Sequence, residues 1–251
     1  MSEVFDAYAA YYDLLYRDKD YAGEASYVNG LIHRYHASAK EVLELGCGTG
    51  SHARELSKLG YVITGVDRSH AMVRLAEERS LQLAAQGMSF TQGDLRDFRA
   101  ERDFDAVLAL FHVMSYQTSN ADLAAAMATA AAHLRPGGLF VFDCWYGPGV
   151  LTDPPQKRVR RLQGEGFEVT RTARPIQRPN ENCVDVHYEI LVERPDGIET
   201  IDEIHAMRYL FAPEVDVLLE ASGMKRVALE TWMDGGEPGL KTWNACFVAV
   251  R

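Results

Sequence analysis

The chain has 251 residues, 47% of them hydrophobic, and a formal net charge of −10. That length suits one α/β domain with an insertion and allows a large buried core, while the acidic balance argues against nonspecific nucleic-acid binding through a basic surface. An acidic N-terminus without a long apolar run argues against a signal peptide or membrane anchor, and the scattered Cys47, Cys144, Cys183 and Cys246 read as reduced and mostly buried, as in the cytosol.

Residues 1–37 read as a helical cap rich in tyrosine: Tyr8, Tyr11, Tyr12, Tyr16, Tyr21 and Tyr27. A strand over 40–45 then leads to a helix over 50–59, closed by Gly60. Between them lies Glu44-Leu45-Gly46-Cys47-Gly48-Thr49-Gly50. Alternate glycines let a backbone turn sharply and pass close to a ligand, and the first amides of the following helix are unpaired donors. A strand over 61–66 ends at Asp67 and leads to a helix over 70–85. Strands follow at 88–92, 104–109 and 138–143. The last is preceded by an alanine-rich helix, Ala121–Ala132, capped by Ser119 with Asp122 three residues on and ended by Pro136-Gly137-Gly138. This alternation predicts a Rossmann-like, doubly wound, mostly parallel seven-stranded sheet with right-handed crossovers.

After Cys144 the rhythm breaks. Residues 157–211 read as strands with turns at Arg178-Pro179-Asn180-Glu181-Asn182 and Pro195-Asp196-Gly197. Val184, Val186, Tyr188, Ile190 and Val192 alternate with polar residues, as in a half-buried antiparallel strand. A helix near 213–222 and strands at 224–230 and 243–250 resume the α/β pattern. The expected organisation is a cap (1–37), a cofactor-binding domain (38–149 and 212–251) and an antiparallel β insertion (150–211) that overhangs the carboxyl ends of the strands.

Two adenosyl cofactors compete for the glycine loop. A dinucleotide fold wants G-x-G-x-x-G, but Ser51 stands where its third glycine belongs. Asp67 suits either cofactor, since a carboxylate there accepts both hydroxyls of a ribose. Glu44 decides: it repels a pyrophosphate and suits the cationic methionyl amine of S-adenosylmethionine. No metal site is expected.

The spelling E-x-G-x-G-x-G, followed by Val66-Asp67, resembles motif I and its sequel in class I methyltransferases. The resemblance implies cofactor contacts from Glu44, Gly46, Cys47, Gly48 and Gly50, from Asp67, Arg68 and Met72, from Asp94 and Leu95 at the adenine, and from Leu110 and Phe111 beneath the sulfonium. Tyr12 and Tyr21 read as part of an N-terminal helix that either closes over the cofactor or packs on the core. Further stretches resemble the N,N-dimethyltransferases of dTDP-linked 3-amino sugars. They are Tyr12-Asp13-Leu14 with Lys19-Asp20-Tyr21, Gly93 to Phe98, Leu134 to Gly138, Trp145-Tyr146-Gly147-Pro148, Val186-His187-Tyr188, and His205 before Leu210-Phe211. The resemblance implies a dTDP-amino-sugar acceptor and a homodimer. Tyr116 falls where that family carries a histidine proposed as a base, and the loop Asp234–Trp243 lacks the arginine found there in the family.

Tyrosine is a poor base near neutrality, so Tyr116 reads as a hydrogen-bond acceptor for the amine and His205 as the better proton acceptor. Trp145 and Tyr146 are expected to stack on sugar or base or surround a cationic amine, and Trp243 to line the far wall of the site. The basic run Lys157-Arg158-Val159-Arg160-Arg161, followed by Arg171, Arg174 and Arg178, supplies guanidinium forks for a diphosphate. Arg158, Arg160 and Arg208 are the expected substrate cations. The expected activity is N-methylation of a nucleotide-linked amino sugar. The alternatives are a small-molecule N- or O-methyltransferase and a non-catalytic adenosylmethionine-binding module.

Overall fold

The structure is a computed structural model and describes residues 12, 14–82, 87–164 and 166–251. Tyr8, Tyr11 and the last residues of the helix expected over 70–85 lie outside the described residues. In chain order the elements are α1 (Tyr21–Tyr35), β1 (Glu41–Leu45), α2 (Ser51–Lys58), β2 (Val62–Asp67), α3 (His70–Gln82), β3 (Met88–Gln92), β4 (Phe104–Ala109), α4 (Asn120–His133), β5 (Leu134–Tyr146) and α5 (Gly147–Thr152). Then come β6 (Arg158–Gln163), β7 (Glu168–Arg178), β8 (Cys183–Arg194), β9 (Gly197–Leu210), α6 (Ala212–Ala221), β10 (Lys225–Thr231) and β11 (Asn244–Val250).

Strands β3-β2-β1-β4-β5 run parallel in that order; β11 then pairs antiparallel with β5, and β10 antiparallel with β11, so that β11 is the one reversed strand of these seven. This is the seven-stranded doubly wound sheet expected from the alternation. Period-two side-chain placement divides its core into two layers. Leu43, Phe140, Phe142, Ala245 and Phe247 face Leu123 and Met127 of α4 and Val215 and Leu219 of α6. Their neighbours Val42, Val141, Cys246 and Val248 face Val28, Leu31 and Ile32 of α1 and Leu56 of α2. Each of these large side chains contributes about 1.5–3 kcal/mol on burial, so both helical layers are bound tightly to one scaffold.

Helix α4 begins as expected, with Ser119 Oγ accepting from the Asp122 amide at 3.0 Å. It ends earlier than Pro136-Gly137-Gly138. Leu134 already pairs with Phe104, and a register shift absorbs the Pro-Gly-Gly bend inside a β5 longer than expected.

Strands β6–β9 form an antiparallel meander, with Tyr188 opposite Glu203 and Val186 opposite His205. It joins the main sheet where Trp145 and Tyr146 of β5 pair with Tyr209 and Leu210 of β9. That junction is at the carboxyl tip of β5, so the insertion stands over the strand ends. Leu15 is buried against Val169, Ile190 and Val192 of the insertion, with Tyr12 and Tyr16 beside it. Among the described residues, no helix is long and apolar enough to cross a membrane.

Candidate active site

A cavity of about 610 Å3 opens over the carboxyl ends of β1, β2 and β4, between the glycine loop and the insertion. On its cofactor side, Gly46 and Gly48 adopt φ of +73° and +53°. A Cβ on Gly46 would lie 2.6 Å from the Val113 side chain, so this position admits no side chain. Asp67, at the end of β2, accepts from the Gly48 amide (2.8 Å) and the Ser69 amide (2.9 Å). Burial raises its pKa, while those donors and the Arg68 amide pull it down. Asp67 therefore ties the loop to β2 and presents its carboxylate at the cavity wall.

Cys47, Arg68, Met72, Asp94, Leu95, Leu110, Phe111, Tyr12 and Tyr21 all line the cavity. Arg96 donates to both oxygens of Asp94 (2.9 and 2.6 Å) and holds its carboxyl below the usual carboxylate range. Tyr21 packs edge-on against His52, with ring centroids 4.9 Å apart, and burial pushes its phenol up to about 12.

Gly50 and Glu44 stand behind the cavity wall rather than in it. Gly50 is the left-handed N-cap of α2, and a Cβ there would meet the Phe90 ring at 2.9 Å, so it turns the chain rather than lining the cavity. Glu44 is 1% exposed, because β1 is an interior strand buried on both faces from Val42 to Leu45. Burial, then the charge of Asp67, pushes its carboxyl up to about 8. Its Oε1 lies 3.7 Å from His52 Nδ1, while Oε2 is a buried oxygen with no hydrogen-bond partner. A buried acceptor of this kind fits a cationic amine brought in by a ligand. The orphan Glu44 oxygen, the side-chain-free Gly48 and the ribose-ready Asp67 together fit an adenosyl sulfonium cofactor.

Beyond β4, Phe111 and His112 both hold left-handed backbone, φ 65° and 63°, a conformation costing about 1–3 kcal/mol for such residues. Two contacts to Asp143 of β5 secure it. The His112 amide donates to the carboxylate at 3.2 Å, and His112 Nδ1 lies 2.6 Å from Oδ2. The same turn places Lys19 over the Phe111 ring, 4.5 Å from its centroid.

On the acceptor side, Tyr116 and His205 come together although 89 residues separate them. The Tyr116 hydroxyl lies 2.9 Å from His205 Nδ1, and burial drives the Tyr116 pKa well above its ordinary value. Trp145 and Trp243 meet edge to face at 5.2 Å and form an aromatic wall. Tyr146 does not join it: successive β5 residues face opposite ways, and Tyr146 packs in the main core with Leu210.

The basic run and the arginines that follow it divide between the cavity, solvent and partners within the protein. Arg158 reaches the cavity. Arg160 instead donates to the Leu15 carbonyl at 3.1 Å and fastens the N-terminal segment. Arg161 is exposed. Arg171 donates to the Tyr16 hydroxyl (3.2 Å), Arg174 pairs with Glu189 (3.3 Å), and Arg178 pairs with Glu181 and Asp185. Arg208 is buried against the Thr118 carbonyl (3.3 Å) and Glu214 (3.4 Å), where it ties the end of β9 to α6. It is absent from the cavity wall. Tyr188 and Glu203 are not among the expected site residues: Tyr188 reaches His205 only through the pairing of β8 with β9, whereas Glu203 lies two residues before His205 on the same face of β9, a period-two spacing that the sequence does show.

A methyltransferase-domain family matches residues 42–138. The chain is 30% identical over 236 residues to a dTDP-3-amino-3,4,6-trideoxy-alpha-D-glucopyranose N,N-dimethyltransferase from Streptomyces venezuelae, covering 92% of this chain and 94% of that one. The crystal structure of the sugar N-methyltransferase KedS8 from Streptoalloteichus sp ATCC 53650 superposes with a TM-score of 0.82 at 30% identity, over 96% and 92% of the two chains. The S-adenosylmethionine-bound structure of CalS10, an amino pentose methyltransferase from Micromonospora echinaspora, does so with a TM-score of 0.76 at 27% identity, over 100% and 99%. The chain belongs to the S-adenosylmethionine-dependent methyltransferases, in the group that holds the sugar N-methyltransferases.

Proposed function

We propose that this methyltransferase acts on the amino group of a nucleotide-linked amino sugar. The observation that carries the reading is that the likeness to the Streptomyces venezuelae enzyme spans 92% of the chain, too much of it to leave out the insertion that walls the acceptor side of the cavity. The sulfonium cofactor supplies an electrophilic methyl group. Gly46 and Gly48 admit its methionyl portion, Glu44 supplies the buried acceptor for its amine, Asp67 takes the ribose hydroxyls, and Asp94 with Leu95 meets the adenine. The cap residues Tyr12 and Tyr21 narrow the entrance.

The acceptor half has to hold a nitrogen lone pair in line with the reacting bond. Positioning of that kind supplies roughly 7–11 kcal/mol of barrier reduction in favourable cases. Tyr116 donates toward His205, and its oxygen accepts from the incoming amine. Trp145 and Trp243 offer a flat apolar wall to a deoxysugar or base, and Arg158 supplies a cation for the diphosphate. The assembly expected from the resemblance is a homodimer, which sedimentation of the purified chain checks.

The test is incubation with labelled S-adenosylmethionine and a panel of dTDP-amino sugars beside small amines. Label on the nucleotide sugars is the expected result, and label on the small amines alone refutes the sugar assignment. A smaller acceptor is the second reading, favoured by one observation: within the basic run 157–161, Arg158 is the residue that lines the cavity.

A further inference from the structure

Behind Tyr116 and His205 stands a carboxylate that the roles above do not use. Glu203 and His205 share one face of β9, and His205 Nε2 lies 2.8 Å from Glu203 Oε2. Both are shielded, with side chains 9% and 4% exposed. A carboxylate accepts and does not donate, so the Nε2 position carries the ring proton. In the neutral ring Nδ1 is then an acceptor, and the Tyr116 hydroxyl at 2.9 Å donates to it. Glu203, His205 and Tyr116 thus form one oriented series ending at the cavity wall.

We propose that Glu203 is the positioning residue that makes Tyr116 a proton acceptor for the substrate amine, by fixing the His205 tautomer and stabilising its protonated form. The proposal rests on the amine-methylation reading and goes beyond it by assigning the proton's route. An amine that arrives as an ammonium has no lone pair to donate. Its N–H bond breaks as an O–H bond forms on Tyr116. The original Tyr116 proton passes to His205 Nδ1, and the imidazolium so formed keeps its Nε2–H on Glu203. The phenol is regenerated in the same step, so no phenolate accumulates where burial opposes one. After product leaves, the proton returns from Nδ1 through the same hydroxyl to solvent in the cavity.

The groups facing this series come from β6, β7, β8 and the N-terminal segment. Tyr188 of β8 lies edge-on to the His205 ring at 4.8 Å. Arg171 of β7 stacks on Tyr188 at 5.1 Å and donates to Tyr16. Arg158 of β6 acts electrostatically on Tyr188, and Tyr16 on Tyr116. Glu203 is the anion in contact with the ring, so its removal is the change that the imidazolium feels most.

Glu203→Gln keeps an acceptor for Nε2–H and removes the charge. Its kcat is expected to fall roughly 10–100-fold, with cofactor affinity and acceptor KM unchanged and the acidic limb of the pH–rate profile moved to lower pH. A wild-type kcat with an unmoved limb overturns the proposal. Nitrogen-15 NMR of His205 in the wild-type protein without acceptor is the second arm, independent of substrate and of the variant's folding. A proton on Nε2 supports the series, and a proton on Nδ1 overturns it. If the sugar assignment fails, the nucleotide sugars go unlabelled while the His205 tautomer stays as described, so the two failures are told apart. The rate measurement then uses whichever amine is methylated.

Discussion

The two halves of the cavity differ in how they are made. The centre of the cofactor half is local: Glu44, Gly46, Gly48 and Asp67 lie on two adjacent parallel strands and the loop after the first, within 24 residues numbered 44–67. The acceptor half is assembled from the turn after β4, the tip of β5, the insertion and the loop before β11, so Tyr116 meets His205 across 89 residues. Backbone geometry does most of the work in the first half, side-chain partnership in the second. Perturbing the first should therefore damage cofactor affinity, and perturbing the second should damage transfer with affinity intact.

The largest expected effect is that of Asp67→Ala. It removes the ribose acceptor and releases the Gly48 and Ser69 amides. Two hydrogen bonds to a charged group, at about 1.5–3 kcal/mol each, imply a loss of cofactor affinity of at least about 100-fold by calorimetry. Unchanged affinity would break the division at its cofactor end. Next comes Tyr116→Phe, expected to lower methyl transfer by roughly 10–100-fold while cofactor affinity stays within about 2-fold. Equal losses in both would give Tyr116 a packing role.

A smaller effect separates the arginines of β6. Arg158→Ala should raise the acceptor KM by about 10-fold, the loss of a charge-assisted contact of about 1.4 kcal/mol. Arg161→Ala, on the exposed face, should leave it unchanged. A similar rise in both would mean that the whole strand, rather than one side chain, meets the substrate.

The mildest test uses pH. Glu44 is raised from its ordinary 4.5 to about 8 in the folded protein. Between those values the folded state holds a proton that the unfolded chain has released. The stability of the cofactor-free protein should accordingly fall as pH rises through that window. Glu44→Gln should flatten the dependence in urea unfolding followed across pH. Cofactor binding should move the opposite way in the native protein and tighten as Glu44 ionises.

The sheet was legible because its signals are periodic and close in sequence. Apolar runs at 40–45, 61–66 and 104–109, separated by helical spacing, leave one compact solution. The boundary error at Pro136-Gly137-Gly138 has a local cause. That bend lies inside β5, where a register shift lets the strand continue past it. The Lys157–Arg161 run shows the limit on the other side. Its composition suggested a diphosphate clamp, yet Arg160 turns to the Leu15 carbonyl and Arg161 to solvent. Charge in a strand is readable from sequence, whereas the partner it finds depends on which chain lies opposite. Tyr146 and Arg208 fail as cavity residues for the same reason, since one sits on the core face of β5 and the other is spent on Glu214 and the Thr118 carbonyl.

The sequence by itself determined the glycine turn, the aspartate after β2 and the order of strands, because backbone freedom at glycine and hydrophobic periodicity act over a few residues. Tertiary structure alone decided that Glu44 is buried with an unpartnered oxygen and that Arg158 is the run's cation at the cavity. It alone joined Glu203, His205 and Tyr116 into one series. Glu203 and His205 are neighbours on one face of β9, but the contact of His205 with Tyr116 spans 89 positions and is set by how β9 pairs with β8 and docks on β5.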